Sequence, residues 1–340
     1  MNPFESVAIG STGATVTRLG LGGAGLSGMV LADGIYQGSD AEEGLRIIRR
    51  AYELGVRHFD TAPLYGMGRS EVRYGRVLSQ LPRDSFTLST KVSRRLVLAD
   101  PNQPDPAADD MDGIPEYTYE FDFTAAGIRQ TLESSLERLK LDCADIVYLH
   151  DSDAADQHTD DQFAEGLEAL VDLRDKGVVK AIGMGMNQWE VTARMIERFD
   201  LDLILLAGRY TLLDQSALPE FMPLCVERGV RLSIGGPYNS GILARDLDQP
   251  VSFEYQPAPP EMVDQARSIK AVCDRHGVEL KAAALQFVSA HPAVATTIPG
   301  ASNVCEVEDN ARLLQSTIPA ELWAELKSDQ LLPDAAPTPA

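Results

Sequence analysis

The sequence predicts an α/β fold: a (β/α)8 TIM barrel with an N-terminal β-hairpin and long loops after the third and seventh strands. Short apolar, β-prone runs alternate with amphipathic helical segments until eight strands have been counted, and that alternation implies a parallel sheet. Several of those runs stop at a polar residue, and barrels carry their chemistry at the C-terminal strand ends. No break in composition marks a domain boundary, so residues 1–340 read as one barrel domain with a Pro/Ala-rich tail from about Leu332 expected to fray.

The elements follow in order. Residues 7–18 hold a Thr-Gly turn between β-prone runs, a hairpin. Leu19–Gly23 is the first strand. The run Gly20-Leu21-Gly22-Gly23-Ala24-Gly25 satisfies GxGxxG, but more glycines and no helical period follow it, so it reads as a strand-end loop rather than a dinucleotide fingerprint. Ser39 is expected to cap a helix to Leu54, with Leu45, Ile48, Ala51 and Tyr52 on one face, and Gly55 to end it. The second strand runs from Val56 into Asp60. A helix from about Ser70 to Ser79 leads to a third strand, Phe86–Val92. Residues 93–122, rich in Pro and Asp, break the rhythm as a long loop. Thr124 caps the next helix, lined by Ile128, Leu132, Leu136 and Leu139, and Ala144–His150 is the fourth strand. An acidic loop, Asp151–Asp161, precedes a helix to Lys176. Strand five (Val179–Met184), a helix (Asn187–Phe199), strand six (Leu203–Leu206), a helix (Ser216–Glu227) and strand seven (Val230–Ile234) follow. A second long loop, 235–259, is rich in Gly and Pro. Helices at about Pro260–His276 and Leu280–Ala290 precede an eighth strand, Ala295–Ile298, and Ser302 opens the last helix.

Composition narrows the partners. Apolar residues make up 44% of the chain, enough for a sizeable core. A net charge of −21 argues against nucleic acid or an anionic membrane, which require basic surface, and suits a solvated exterior. Cys143, Cys225, Cys273 and Cys305 are scattered without a CxxC pair, so neither a disulfide frame nor a metal site is expected, and a cytoplasmic setting fits. The N-terminus has no basic region followed by an apolar core, and no apolar run approaches the ~20 residues of a membrane span. Oligomeric state is not legible.

The chain is organised around HFDTAPLYGMGRSEVRYGRVL, residues 58–78. A strand delivers Asp60 to its end, and a Gly-rich loop then carries Tyr65. Lys91 and His150 stand at the ends of the next two strands, and neighbouring strand mouths of a barrel converge. Singly, Lys91 reads equally as a surface lysine and His150 as a hydrogen-bonded core histidine; together, at successive strand ends, the four read as chemistry. A tyrosine with a pKa near ~10 exchanges protons poorly at neutral pH, and a lysine ammonium about 4 Å away at an effective dielectric of about 20 supplies roughly the 4 kcal/mol needed to lower it. His58, His158, His276 and His291 lack ligand spacing and read as structural or solvated.

The motif F-D-T-A-x-x-Y-G-x-G-x-S-E resembles the signature of the aldo-keto reductases. The resemblance implies a catalytic tetrad of Asp60, Tyr65, Lys91 and His150, with Tyr65 the general acid/base, His150 helping to hold the substrate oxygen, and Asp60 orienting Lys91. None of these side chains accepts hydride, so a cofactor is required. By the same resemblance Asn187 would hold a nicotinamide carboxamide, and Gly236, Pro237, Gly241 and Leu243 would belong to a loop over the pyrophosphate. Gly300, Ser302, Glu306, Asp309 and Asn310 would lie at the adenosine end, and Gly23 and Asp60 would also be cofactor-binding. Where many members carry a lysine and an arginine for the NADP 2′-phosphate, this chain has Gly300 and Glu306, which implies NAD, with NADP possible. Ala207 replaces a common glutamine and Gly235 a ring-stacking aromatic. AIGMGMN, LAGRYTLLDQ and GGPYNSGIL are most similar to the branch of D-threo-aldose 1-dehydrogenases (L-fucose dehydrogenases) and a pyridoxal 4-dehydrogenase. That branch implies NAD-dependent oxidation of a cyclic hemiacetal, a small molecule such as a sugar, to a lactone. An NADPH-dependent aldehyde or ketone reductase and a non-catalytic cofactor-binding regulatory subunit are the alternatives. Trp189, Tyr210, Tyr238, Phe253 and Tyr255 are candidate pocket walls, and loops 93–122 and 235–259 are expected to form them.

Overall fold

In the computed structural model, which describes residues 1–28, 30–31, 36–99, 112–113, 115–150 and 157–339, eight parallel strands lie side by side in chain order. They are β1 (Leu21–Gly22), β2 (His58–Asp60), β3 (Thr87–Val92), β4 (Ile146–His150), β5 (Ala181–Met186), β6 (Leu203–Ala207), β7 (Arg231–Gly235) and β8 (Val294–Ile298). The ring closes between first and last: Thr297 N donates to Arg18 O at 2.8 Å, Gly20 N to Thr297 O at 2.9 Å and Gly22 N to Pro299 O at 3.1 Å. Closure removes the unpaired edges that an open sheet would leave.

The helices are α1 (Ala41–Leu54), α2 (Arg69–Leu78), α3 (Ala125–Leu139), α4 (Asp160–Asp175), α5 (Trp189–Arg198), α6 (Phe221–Arg228), α7 (Pro260–Arg275), α8 (Leu280–Ser289), α9 (Val304–Gln315) and α10 (Ala320–Ser328). At α1, α3, α4 and α9 the start is set by a side-chain acceptor for an orphan amide. Asp40, not Ser39, caps α1, accepting from Glu43 N at 2.8 Å. Thr124 caps α3. Thr159 and Gln162 form a reciprocal box at the head of α4. Asn303, one residue after the expected Ser302, caps α9 by accepting from Glu306 N.

The outward faces of β4–β7 pack on the surrounding helices in the larger core, which includes Ile182, Ile204, Phe221 and Trp323. A second core joins Phe59 and Leu88 to α1, α2 and α9. Inside the barrel, Ile146, Ala181 and Leu203 at the N-terminal strand ends pack against Ile9 and Val16 of the N-terminal hairpin, Ser6–Ala8 with Thr15–Thr17. That end is plugged by apolar side chains, so polar chemistry is confined to the other mouth.

The structure corrects the reading in four places. The loop 93–122 contains an antiparallel ribbon, Arg94–Leu98 with Tyr117–Phe121, while residues 100–111 and 114 lie outside the described residues. Loop 235–259 carries a 3-10 turn, Asn239–Gly241, and a two-residue ribbon, Ser252–Phe253 with Gln256–Pro257. Helix α10, absent from the sequence expectation, buries Leu322, Trp323 and Leu326. The tail does not fray at Leu332: Leu332 and Ala336 are 2% and 1% exposed within the larger core. Most of the expected acidic loop, 151–156, lies outside the described residues. Among the described residues no helix is long and apolar enough to cross a membrane, and no group of three His, Cys, Asp or Glu is placed to hold a metal.

Candidate active site

The open mouth gathers the four sequence-predicted residues from adjacent strands. Asp60 ends β2, Lys91 is the penultimate residue of β3, and His150 ends β4; all three side chains are buried. The register pairs Asp60 with Ser89 and Tyr148 with Lys91, so Lys91 stands one step above Asp60 on the inner face. Tyr65 is half-buried in the β2–α2 loop. That loop turns tightly enough to face the barrel because Gly66 and Gly68 adopt φ of +62° and +93°; a Cβ on Gly66 would stand 2.7 Å from Ser27 O.

Lys91 Nζ donates to Asp60 Oδ2 at 2.7 Å and to Thr61 O at 2.8 Å. It lies 4.5 Å from the centroid of the Tyr65 ring. The His150 ring meets Tyr65 edge-on at 6.1 Å, with the planes at 84°. Ser93 Oγ donates to His150 O at 2.6 Å and fixes the end of β4. Burial pushes Asp60 upward and Lys91 downward, and the charge of each partner opposes the shift. Burial, with Lys91 and Arg94 nearby, holds His150 well below 6.5, so it is a neutral imidazole at pH 7. Its Nδ1 has no hydrogen-bond partner among the described residues.

From Tyr65 and Asp60 a cleft runs over the ends of β1, β6, β7 and β8 to the first turns of α9. It encloses about 1260 Å³, open mouth included. Of the residues expected at a cofactor, Gly23 lines it at β1, and Gly236, Pro237 and Gly241 line it after β7. Gly300, Ser302, Glu306, Asp309 and Asn310 line its far end. Asn187 and Leu243 are not among its lining residues: Asn187 is half-buried just after β5, and Leu243 is fully buried in the larger core.

The chemistry of this lining fits a dinucleotide. A Cβ on Gly236 or Gly300 would meet nothing closer than 3.8 Å, so the backbone there lies open to a ligand. The cations Arg245 and Lys281, which no sequence motif singled out, also line the cleft. Lys281 on α8 is paired with Asp309 at 3.1 Å, and Asp309 also accepts from Arg312. Glu306 is held by Ser302 N (2.8 Å), Ser302 Oγ (3.1 Å) and Asn303 Nδ2 (3.0 Å), so a carboxylate is fixed at the head of α9. Leu205, Ala207 and Gly235 form an apolar, uncluttered floor near the tetrad.

Of the candidate walls, Tyr238 and Tyr255 line the cleft, and Tyr238 Oη donates to Asn310 Oδ1 at 2.6 Å. Tyr210 instead stacks on Phe287 at 5.0 Å in the core, Trp189 packs on Phe221 at 6.2 Å, and Phe253 packs against the larger core. The described residues of loop 93–122 do not line the cleft, whereas loop 235–259 does.

Three comparisons with known proteins bear on the family and the fold. The family model described as "Aldo/keto reductase family" matches residues 18–329. The chain is 37% identical to a D-threo-aldose 1-dehydrogenase of Pseudomonas sp, over 96% of this chain and 98% of that one. It is 35% identical to a pyridoxal 4-dehydrogenase of Microbacterium luteolum, again over 96% and 98%. Among solved structures it resembles an aldo-keto reductase from Bacillus halodurans in its holo form, at 25% identity and a TM-score of 0.74, covering 98% of both chains.

Proposed function

The chain belongs to the aldo/keto reductase family, and on that premise we propose that this oxidoreductase is an NAD-dependent dehydrogenase of a cyclic hemiacetal. Its substrate would be an aldose such as L-fucose, or pyridoxal, and its product a lactone. The observation that carries the reading is the convergence of Tyr65, Lys91, Asp60 and His150 at one end of a cleft whose other end is α9.

The residues divide the work as follows. Neutral His150 and Tyr65 hold the hemiacetal hydroxyl oxygen between them. Tyr65, as phenolate, takes the hydroxyl proton while the C–H bond of the same carbon breaks. Lys91 stabilises the phenolate, and Asp60 fixes the ammonium in place. A nicotinamide bound in the cleft would supply the hydride acceptor that these side chains lack. Gly23, Gly236, Pro237, Gly241 and Gly300 would leave room along the cofactor, with Arg245 against its phosphates. Gly300 offers no cation to a 2′-phosphate, Glu306 repels one, and Asp309 occupies Lys281; these support NAD over NADP. The four free cysteines fit a cytoplasmic setting.

A specific observation keeps a second reading in view: Lys281 lines the cleft, so an NADPH-dependent carbonyl reductase would have one cation to draw on. Turnover of the purified protein with NAD and a panel of aldoses and pyridoxal, set beside NADPH with an aldehyde panel, separates the two. The proposal expects lactone and NADH from the first panel. Faster turnover in the second overturns it, and no turnover in either would favour a non-catalytic cofactor-binding subunit.

A further inference from the structure

Beneath the tetrad lies a buried imidazole that the acid–base step does not use. His58 stands two residues before Asp60 on β2, on the same inner face, and is fully buried. Its Nε2 lies 3.2 Å from Ser89 Oγ, and its Nδ1 lies 3.4 Å from Thr296 Oγ1 on β8. Ser89 Oγ in turn is 2.7 Å from Asp60 Oδ1, the oxygen that Lys91 leaves free. Reaching β8 takes His58 past the start of β1, where the chain has Gly20. A Cβ there would stand 3.1 Å from His58 Nδ1 and 2.7 Å from Ile298 Cγ2, so the space for the imidazole is kept open by a missing side chain.

Counting protons gives this chain of contacts a direction. An ionised carboxylate only accepts, so Ser89 donates to Asp60. The other acceptor within reach of that hydroxyl, Phe59 O, is much farther at 3.5 Å. With its proton committed, Ser89 Oγ accepts from His58 Nε2–H. Burial and the charge of Lys91 push His58 down to about 3, so the ring is neutral and Nδ1 accepts from Thr296. Donors therefore run from Thr296 through His58 and Ser89 to Asp60 Oδ1, while Lys91 arrives at Oδ2.

We propose that His58 and Ser89 are positioning residues for the acid–base step: Ser89, oriented by His58, donates to Asp60, and the relay keeps Asp60 ionised and keeps the proton of the Lys91–Asp60 pair on Lys91. This rests on Tyr65 being the acid–base group. A desolvated carboxylate and ammonium 2.7 Å apart can collapse to a neutral pair, and a second donor on the carboxylate opposes that transfer. Without it, the positive potential of Lys91 at Tyr65 weakens. The other charged and titratable groups around the pair are Tyr65, Glu71 and Tyr74 from the β2–α2 segment, Tyr148 and His150 from β4, Arg94 after β3, and Asp145 before β4. Tyr74 and Tyr148 are pushed up and stay protonated, and His150 is pushed down and stays neutral, so these hold one state through the neutral range. Glu71 is held by Arg138 at 2.7 Å and by Thr90 at 2.9 Å.

The test is the pH profile of kcat/KM for NAD-dependent oxidation in Ser89→Ala, His58→Phe and His58→Gln, with Lys91→Met as reference and NADH affinity as the measure of an intact fold. Ser89→Ala is expected to move the acid limb about one pH unit alkaline, an about tenfold loss on the acid side, with the alkaline plateau and NADH affinity unchanged. His58→Phe is expected to lose about threefold there, and His58→Gln, whose amide keeps a donor at the Nε2 position, to return toward wild type. Wild-type limbs in Ser89→Ala and His58→Phe, while Lys91→Met shifts, would overturn the proposal. A limb that Lys91→Met also fails to move would show that Lys91 does not tune Tyr65 and would overturn the proposal with it. Should Ser89→Ala fail to bind NADH, the His58 pair decides, and equal limbs in Phe and Gln overturn the proposal.

Discussion

Replacing Lys91 by Met removes one charge from a fully buried position at nearly constant volume, and its effect on Tyr65 can be worked from the structure. Lys91 Nζ is 4.5 Å from the Tyr65 ring centroid. At an effective dielectric of about 20, that favours phenolate by ~3.7 kcal/mol. Asp60 Oδ2 lies 2.7 Å beyond Nζ, hence at most about 7 Å from the ring, and opposes this by ~2.3 kcal/mol or more. If Asp60 takes up a proton once its partner is gone, both charges vanish and the Tyr65 pKa rises by about one unit; if it stays ionised, the rise approaches about three. Oxidation needs the phenolate, so rate climbs with pH through the Tyr65 pKa. The variant's limb therefore moves one to three units alkaline, and kcat/KM below the limb falls by about tenfold to a thousandfold. Reduction needs the phenol, so its decline moves alkaline too. The assay is kcat/KM across pH in both directions, with NADH affinity as the fold control because Asp60 loses its partner. An oxidation limb at its wild-type position would refute the assignment of Lys91 as the tuning charge.

The remaining predictions concern the cleft and the tail. Tyr65→Phe, which removes only a hydroxyl, is expected to lose at least about a hundredfold in kcat while NADH affinity is retained; steady-state rates comparable to wild type would exclude Tyr65. Glu306→Arg is expected to improve NADP binding by ~1.5–3 kcal/mol and to cost about 0.5–1 kcal/mol of stability, because Glu306 also closes the N-terminal turn of α9; paired KM and Tm measurements check both. Asp309→Asn frees Lys281 from its 3.1 Å pair and should lower the NADP KM several-fold with little change for NAD; equal changes for both cofactors would place Lys281 away from the 2′ position. Ending the chain at Leu331 removes the buried Leu332 and Ala336 and is expected to cost about 2–3 kcal/mol, seen as a lower Tm with kcat unchanged.

What could be read in advance follows from the range of the forces involved. Asp60, Lys91 and His150 were legible because an apolar strand that stops at a polar residue announces a strand end, and a barrel brings successive ends together. Thr124 and Gly55 were legible because capping is a property of a few adjacent residues. The ribbon Arg94–Leu98 with Tyr117–Phe121 was not: each strand is stabilised by the other across a long insertion, and Arg94 packs between Tyr119 and Phe121 at 5.0 and 4.7 Å. Helix α10 hid behind Pro319, which reads as a breaker but here precedes the first helical turn. Lys281 enters the cleft only because α8 packs on α9, and no spacing in the sequence carries that contact. Leu243, placed by motif beside a cofactor, has its side chain fully buried in the larger core and does not line the cleft.

The most direct measurement follows the transferred hydride. An aldose deuterated at its anomeric carbon is mixed with the enzyme and NAD, and the reduced cofactor and the sugar product are analysed for wild type and Tyr65→Phe. The account predicts deuterium in the reduced cofactor and lactone as product, both lost in the variant. Unlabelled reduced cofactor, a product oxidised at another carbon, or undiminished label transfer in Tyr65→Phe would contradict it.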